Sequence, residues 1–101
     1  MNALALRQLL LDKWGYSYDL QIRRQSDRLM FLVMWRYQEQ ASFPLTELEY
    51  LQHLEAIAAR LSDWGTLEQV QQFILTTKTK PRLGKALCLP LKPNQRASEW
   101  V

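Results

Sequence analysis

The period of the hydrophobic pattern changes at Gly15, and this change constrains the fold more than any other feature of the sequence. Before it, leucines recur at helical spacing over residues 3–14, and Gly15 has the position of a C-terminal cap. After it, apolar and polar residues alternate over 16–23, as in a half-buried strand. The apolar run 29–35 does not alternate, which predicts a strand covered on both faces. The polar break at 25–28 should join the two strands as an antiparallel hairpin.

Two further helices are predicted in the middle of the chain. Thr46 and Glu49 have the spacing of a capping box at the start of the first, and Gly65 should end it. Thr66 and Gln69 repeat that spacing at the start of the second helix. The buried stripe predicted for the first helix is Leu48, Leu51, Leu54, Ala58 and Leu61.

The elements therefore follow the order α-β-β-α-α-β, which predicts an α+β fold with helices packed on a three-stranded sheet. The last strand is predicted over 86–89, where Pro90 should end it. We expect residues 1–91 to form a single domain and residues 92–101 to be a loose tail. With 48% hydrophobic and 23% charged residues, the chain has the composition of a globular protein and can build one modest core.

The same element order occurs in one topological class of KH domains, which bind single-stranded RNA or DNA. Binding of that type needs a GxxG loop between the two successive helices, where bare backbone clamps the nucleic acid. The corresponding residues, 62–67, contain one glycine, one acid and no lysine or arginine. This loop argues against KH-type binding and favours an ordinary turn between helices.

Positive charge is concentrated in the last quarter of the chain. Residues 78–101 hold six Lys/Arg and one Glu, a balance of +5, whereas residues 1–77 hold seven Lys/Arg and nine Asp/Glu, a balance of −2. The net charge of +3 thus comes entirely from residues 78–101. A basic segment of this kind attracts phosphate, an anionic membrane surface or an acidic protein, although a solvated loop has the same composition.

Residues 78–85, which we term the basic loop, are the best functional candidate. The candidate partner- or anion-binding residues are Lys78, Lys80, Arg82, Gly84 and Lys85. Gly84 would let a ligand approach the backbone closely. The loop lacks the GxxxxGK[ST] pattern of a phosphate loop. Contact with an anion or a nucleic acid, docking to an acidic protein surface, and a merely solvated loop all remain open.

Four arginines on or beside the predicted hairpin form an alternative nucleic-acid face. They are Arg23, Arg24, Arg28 and Arg36. Aromatic residues are interleaved with them, as in a platform on which bases stack. The same pattern arises when aromatic residues belong to the core and arginine stems cover them.

The remaining reactive side chains match no catalytic or metal-binding pattern. We therefore predict that the protein is not an enzyme and holds no metal ion or cofactor. His53 is the only histidine; Glu49 lies one turn before it, and no third ligand has recognisable spacing. Cys88 is the only cysteine, so an intramolecular disulfide is impossible. Between Leu87 and Leu89, its thiol is expected to be buried and inert. The N-terminus does not resemble a signal peptide, and no apolar run is long enough to span a membrane.

Three stretches together resemble a small family of cyanobacteria and chloroplasts whose domain has no known function. They are residues 9–19 (LLLDKWGYSYD), 33–45 (VMWRYQEQASFPL) and 80–86 (KPRLGKA), and the resemblance spans about residues 5–91. It implies a cytoplasmic or stromal protein of a photosynthetic lineage, and it carries no activity or catalytic residues. From the uneven charge and the lack of catalytic groups we expect an interaction or assembly factor in such a cell, which contacts an acidic protein through the basic loop and the edge of the last strand. A module that binds single-stranded nucleic acid is the alternative.

Overall fold

The computed structural model describes residues 1–92 and confirms the predicted α+β fold and its element order. The elements are α1 (Ala3–Trp14), β1 (Tyr18–Gln25), β2 (Arg28–Tyr37), α2 (Glu47–Asp63), α3 (Leu67–Thr76) and β3 (Leu87–Pro90). The strands form one antiparallel sheet in the order β1-β2-β3. None of the helices in residues 1–92 is long and apolar enough to cross a membrane.

The change of period at Gly15 marks the end of α1, as predicted. Gly15 has φ 80°, the left-handed conformation that favours glycine, and its N–H donates to the Leu11 carbonyl. The strand begins at Tyr18, two residues later than the alternation suggested. Ser26 and Asp27 form the hairpin turn, and Gln25 pairs with Arg28 across it.

The core lies between the three helices and one face of the sheet. Alternate residues of β2 enter it, so that Phe31 and Val33 are fully buried opposite Ile22 and Leu20 of β1. The helices contribute the other large buried side chains, which are Leu6, Leu10, Tyr50, Leu54, Leu61, Val70 and Ile74.

Within residues 1–92 no helix packs on the opposite face of β2, so in this part of the chain the predicted cover on both faces is not found. Met30 and Met34 on this face are half-buried and lie outside the core cluster. Leu32, on the same face, is only 9% exposed and also lies outside that cluster. Cys88 is exposed, which corrects the expectation of a buried thiol.

The two edges of the sheet differ. Side chains of α2 cover the edge of β1, where the Tyr50 hydroxyl donates to the Tyr18 carbonyl over 2.7 Å. At the other edge, Pro90 belongs to β3 instead of ending it at Leu89. Because the Leu91 N–H donates to the Leu29 carbonyl, the alternation of an antiparallel ladder turns the backbone of Cys88 and Pro90 outward. Proline has no N–H, so this edge offers few donors for a further strand.

The first capping box is confirmed and the second is wrong. Thr46 accepts from the Glu49 N–H over 3.1 Å, and the Glu49 carboxylate accepts from the Thr46 N–H over 3.0 Å. Thr66 instead donates its buried hydroxyl to the Leu61 carbonyl. Gln69 does not complete a capping box, because its side-chain amide forms two hydrogen bonds with the backbone of Lys92.

The stripe predicted for α2 needs one correction. Leu48 is 66% exposed, whereas Leu54, Ala58 and Leu61 are buried and Leu51 packs at the margin of the core. Tyr50 and Ile57 complete the buried face. The predicted tail begins at Lys92, and its remaining residues, 93–101, lie outside the described part of the chain.

Candidate functional site

Two side chains at the end of α1 hold the segment that runs from the last turn of α3 into the basic loop. The Trp14 indole N–H donates to the Thr79 carbonyl over 3.2 Å, and Lys13 Nζ donates to the Leu75 carbonyl, also over 3.2 Å. Pro81 is buried, whereas Lys80 and Arg82 on either side of it are exposed. The loop is therefore held at Thr79 and Pro81, while the side chains of Lys80 and Arg82 remain accessible to solvent.

This attachment forms a cleft of about 500 Å³ between α1, the end of α3 and the loop. We term it the basic cleft. Its lining residues are Lys13, Trp14, Thr76, Thr77, Lys78, Thr79, Lys80 and Arg82. Four of them are cations, and among residues 1–92 no Asp or Glu lines the cleft.

Three of the five predicted loop residues, Lys78, Lys80 and Arg82, come together in the cleft. Gly84 and Lys85 belong instead to a tight turn outside the lining. The N–H of Arg82 donates to the Lys85 carbonyl over 3.0 Å, and the Lys85 N–H donates back over 2.7 Å. Gly84 has φ 76°, so the turn itself explains the glycine, without any ligand.

Sequence reasoning missed Lys13 and Trp14 as members of this site. They lie 64 or more positions before the cations of the loop, and in the sequence they mark only the last turn of α1. A cation and an amphipathic ring near a C-cap glycine are ordinary features of a helix end. No local signal relates them to the basic loop.

The net charge of the cleft is strongly positive even when its helix ends are counted. The C-terminal ends of α1 and α3 both border it, and each carries roughly half a negative charge. Together they offset about one of the four cations. The ion pairs found in residues 1–92 lie elsewhere: Arg7–Glu39 at 3.8 Å and Arg7–Glu47 at 2.8 Å. The contact of His53 Nε2 with Asp19 Oδ1, at 3.4 Å, is also away from the cleft.

The hairpin arginines do not form one surface. Arg23, Arg24 and Arg28 lie exposed beside the turn, whereas Arg36 follows eight residues after Arg28 on β2, about 26 Å along a strand. Arg23 donates to the Gln21 side chain over 2.8 and 3.0 Å.

The aromatic residues expected beside these arginines pack mainly with one another. Phe31 is fully buried and Tyr18 is 6% exposed. Tyr16 and Tyr37 have ring centroids 4.5 Å apart, and both contact the ring of Tyr18 edge-on. These rings lie where β1 begins and β2 ends, away from the turn that carries Arg23, Arg24 and Arg28.

An imidazole and a carboxylate approach each other between α2 and β1. His53 Nε2 lies 2.6 Å from the Leu20 carbonyl and 3.4 Å from Asp19 Oδ1. Burial raises the pKa of the Asp19 carboxyl group, against the opposing influence of His53, a hydrogen bond from Gln21, and Arg36. In residues 1–92 no three His, Cys, Asp or Glu side chains are grouped so that they could hold a metal ion.

The fold and the cleft define the class of this protein: a small α+β domain with helices on one face of a three-stranded antiparallel sheet and a basic cleft beside it. The chain belongs to the family described as a domain of unknown function (DUF3067), which matches residues 4–101.

A solved relative has the same fold. The solution NMR structure of the Alr2454 protein from Nostoc sp. strain PCC 7120 is 55% identical to this chain and superposes with a TM-score of 0.90. The match covers 99% of this chain and 96% of the relative. Comparison with functionally curated proteins found none that matches.

Proposed function

We propose that this protein is a non-enzymatic interaction or assembly factor in the cytoplasm or stroma of a photosynthetic cell, and that its basic loop contacts an acidic protein partner. The observation that carries the proposal is the presentation of Lys78, Lys80 and Arg82 by one anchored segment, with no carboxylate from residues 1–92 lining the cleft. Concentrated charge of one sign steers an oppositely charged partner and accelerates association. The photosynthetic setting rests on the family resemblance and on the Nostoc relative.

The edge of β3 has a minor part in this contact. Cys88 provides the outward N–H within the strand, because Pro90 has none. Strand addition needs a row of donors and acceptors, so main-chain pairing at this edge would be weak. The partner is therefore recognised by the side chains of the loop.

Nucleic-acid binding is the alternative outcome. Arg23, Arg24 and Arg28 are each exposed beside the hairpin turn and could contact phosphates. Gly65, in the turn between α2 and α3, has φ 69°, so the reversal of chain direction accounts for this glycine. The glycine therefore gives no support to binding in the KH mode. Trp64 beside it is 4% exposed and belongs to the core.

A pair of charge reversals separates the two alternatives. Lys80→Glu with Arg82→Glu alters the basic loop, and Arg23→Glu with Arg24→Glu makes the same change of charge at the hairpin turn. Each variant and the unaltered protein are used as bait in a cyanobacterial extract, with and without nuclease. We expect the loop variant to lose a nuclease-resistant, salt-sensitive protein partner that the hairpin variant retains.

Equal recovery of that partner by a folded loop variant would show that the proposal is wrong. Loss of the captured material on nuclease treatment, together with its loss from the hairpin variant, would favour nucleic acid instead. In that case titration with a single-stranded oligonucleotide should show affinity that falls steeply with salt. Circular dichroism of both variants establishes that they are folded.

A further inference from the structure

We propose that the basic cleft binds a phosphate monoester group, carried either by a small molecule or by a phosphorylated side chain. The inference deepens the proposed function, because the cleft and the proposed contact surface share Lys78, Lys80 and Arg82. It adds Lys13 on α1, which lines the cleft but lies outside the basic loop. Because Lys13 belongs to the cleft and not to the basic loop, phosphate binding and partner binding can be tested separately.

The volume of the site and the position of its charges on two elements favour a compact ligand. The cleft is open to solvent and has a volume of about 500 Å³, within the range of small-molecule sites. Its charged groups converge from two elements, Lys13 from the end of α1 and three cations from the segment after α3. A ligand inside the cleft can therefore contact several of them at once.

The charge of the site selects the ligand class. After the two helix ends are subtracted, about three positive charges remain in the cleft. A carboxylate supplies one negative charge, whereas a phosphate monoester supplies about 1.5 to 2 together with three acceptor oxygens. The guanidinium of Arg82 matches two of those oxygens, and the lysines act as point charges. A phosphate monoester thus compensates the cleft more completely than a carboxylate side chain.

The threonines leave one hydroxyl proton for a ligand. Thr76 donates its hydroxyl to the Gln72 carbonyl over 2.7 Å. The hydroxyls of Thr77 and Thr79 lie 3.1 Å apart, so one donates to the other, and Thr77 also accepts from the Thr79 N–H. Whichever of the two hydroxyls donates within the pair, the other keeps a free proton, which a phosphate oxygen can accept.

Contacts within the protein hold the walls of the cleft. Trp14 and Lys13 hold the backbone of 75–79 by their hydrogen bonds, and buried Pro81 fixes the next residues. Less conformational entropy is then lost on binding.

The test is an NMR titration with inorganic phosphate, phosphoserine, and a serine peptide in phosphorylated and unphosphorylated forms, against sodium chloride at equal ionic strength. We expect phosphate or phosphoserine to shift the Trp14 indole N–H and the amides of 76–80 in a saturable way, and chloride to leave them in place. If free phosphoserine binds as tightly as the phosphopeptide, the ligand is a small molecule. If the phosphopeptide binds more tightly, it is a protein side chain.

Matched neutral substitutions locate the site. Lys80→Gln and Lys13→Gln should each weaken phosphate binding about three- to tenfold. Lys85→Gln removes the same charge from the same loop but outside the lining, and it should leave the affinity nearly unchanged. Equal weakening by Lys85→Gln, or equal shifts with chloride, would show nonspecific attraction and overturn the proposal.

The outcome for this site is distinguishable from that of the proposed function. If the loop charge reversal abolishes capture of the protein partner while phosphate and phosphopeptide shift nothing, the phosphate site is wrong and the proposed function stands. If phosphate binds as expected and the loop charge reversal leaves partner capture intact, the proposed function fails and the site stands.

Discussion

Asp19 has a carboxyl group that is 17% exposed and lies beside His53. Its Oδ1 is buried and accepts no hydrogen bond, although His53 Nε2 is 3.4 Å away. Burial disfavours the charged form, and this is the main reason why the pKa is raised. Most structural carboxylates in folded proteins have lowered pKa values, and their ionisation stabilises the fold. The pKa of Asp19 is raised, so its ionisation should destabilise the fold.

We predict that Asp19→Asn gains stability relative to the unaltered protein as the pH rises. The folded pKa lies above the unfolded value of about 3.9, so between the two the folded state binds more protons. The contribution of Asp19 to the free energy of unfolding therefore decreases as the pH passes upward through this window. Asparagine cannot ionise. Urea unfolding between pH 4 and 7 should therefore show that the free energy of unfolding of the variant, relative to that of the unaltered protein, increases with pH.

Asp27→Asn at the exposed hairpin turn is the matched control for the loss of one carboxylate. If the stability of Asp19→Asn relative to the unaltered protein falls as the pH rises, the contact with His53 outweighs the effect of burial and the prediction is wrong.

At the scale of elements, the two helix starts in the second half of the chain allow a paired prediction. Thr46→Ala removes the acceptor of a side-chain cap and should lower the free energy of unfolding by about 1 kcal/mol. Thr46→Ser keeps that acceptor and should restore most of the loss. Thr66 makes no side-chain cap, so Thr66→Ser, which keeps its hydroxyl, is a control that tests only the lost methyl group. Chemical denaturation measures all three variants, and an undiminished stability of Thr46→Ala would contradict the assignment.

The contact between α2 and the edge of β1 depends on a buried hydrogen bond. Tyr50→Phe removes the donor to the Tyr18 carbonyl and leaves that carbonyl buried without it. We expect a loss of about 1–3 kcal/mol in the free energy of unfolding. Tyr16→Phe at a ring that is 44% exposed should change it by less than about 0.5 kcal/mol. Equal effects of the two substitutions would show that the edge contact does not stabilise the fold.

At the scale of the whole molecule, the position of the charge is more informative than its sum. A net charge of +3 on 101 residues indicates no particular partner. The fold gathers four cations around one cleft and places Arg23, Arg24 and Arg28 beside the hairpin turn, with Arg36 near the far end of β2. The basic loop is a candidate for an acidic protein or a nucleic acid, and the hairpin turn for a nucleic acid, so charge reversals of equal size test the two surfaces independently.

The element order, the ends of α1, the first capping box and the basic loop could be predicted from the sequence. Each depends on residues within about four positions of one another, or on a period that recurs within a single element. Only the tertiary structure decided which face of the sheet is covered and that Gln69 bonds to Lys92, 23 positions away, instead of forming a cap. The cleft also depends on the tertiary structure, because the two hydrogen bonds that close it join residues that are 62 and 65 positions apart in the sequence. A sequence pattern records the local hydrogen bonds and the periodicity of burial, whereas contacts between distant residues follow from how the buried faces pack together.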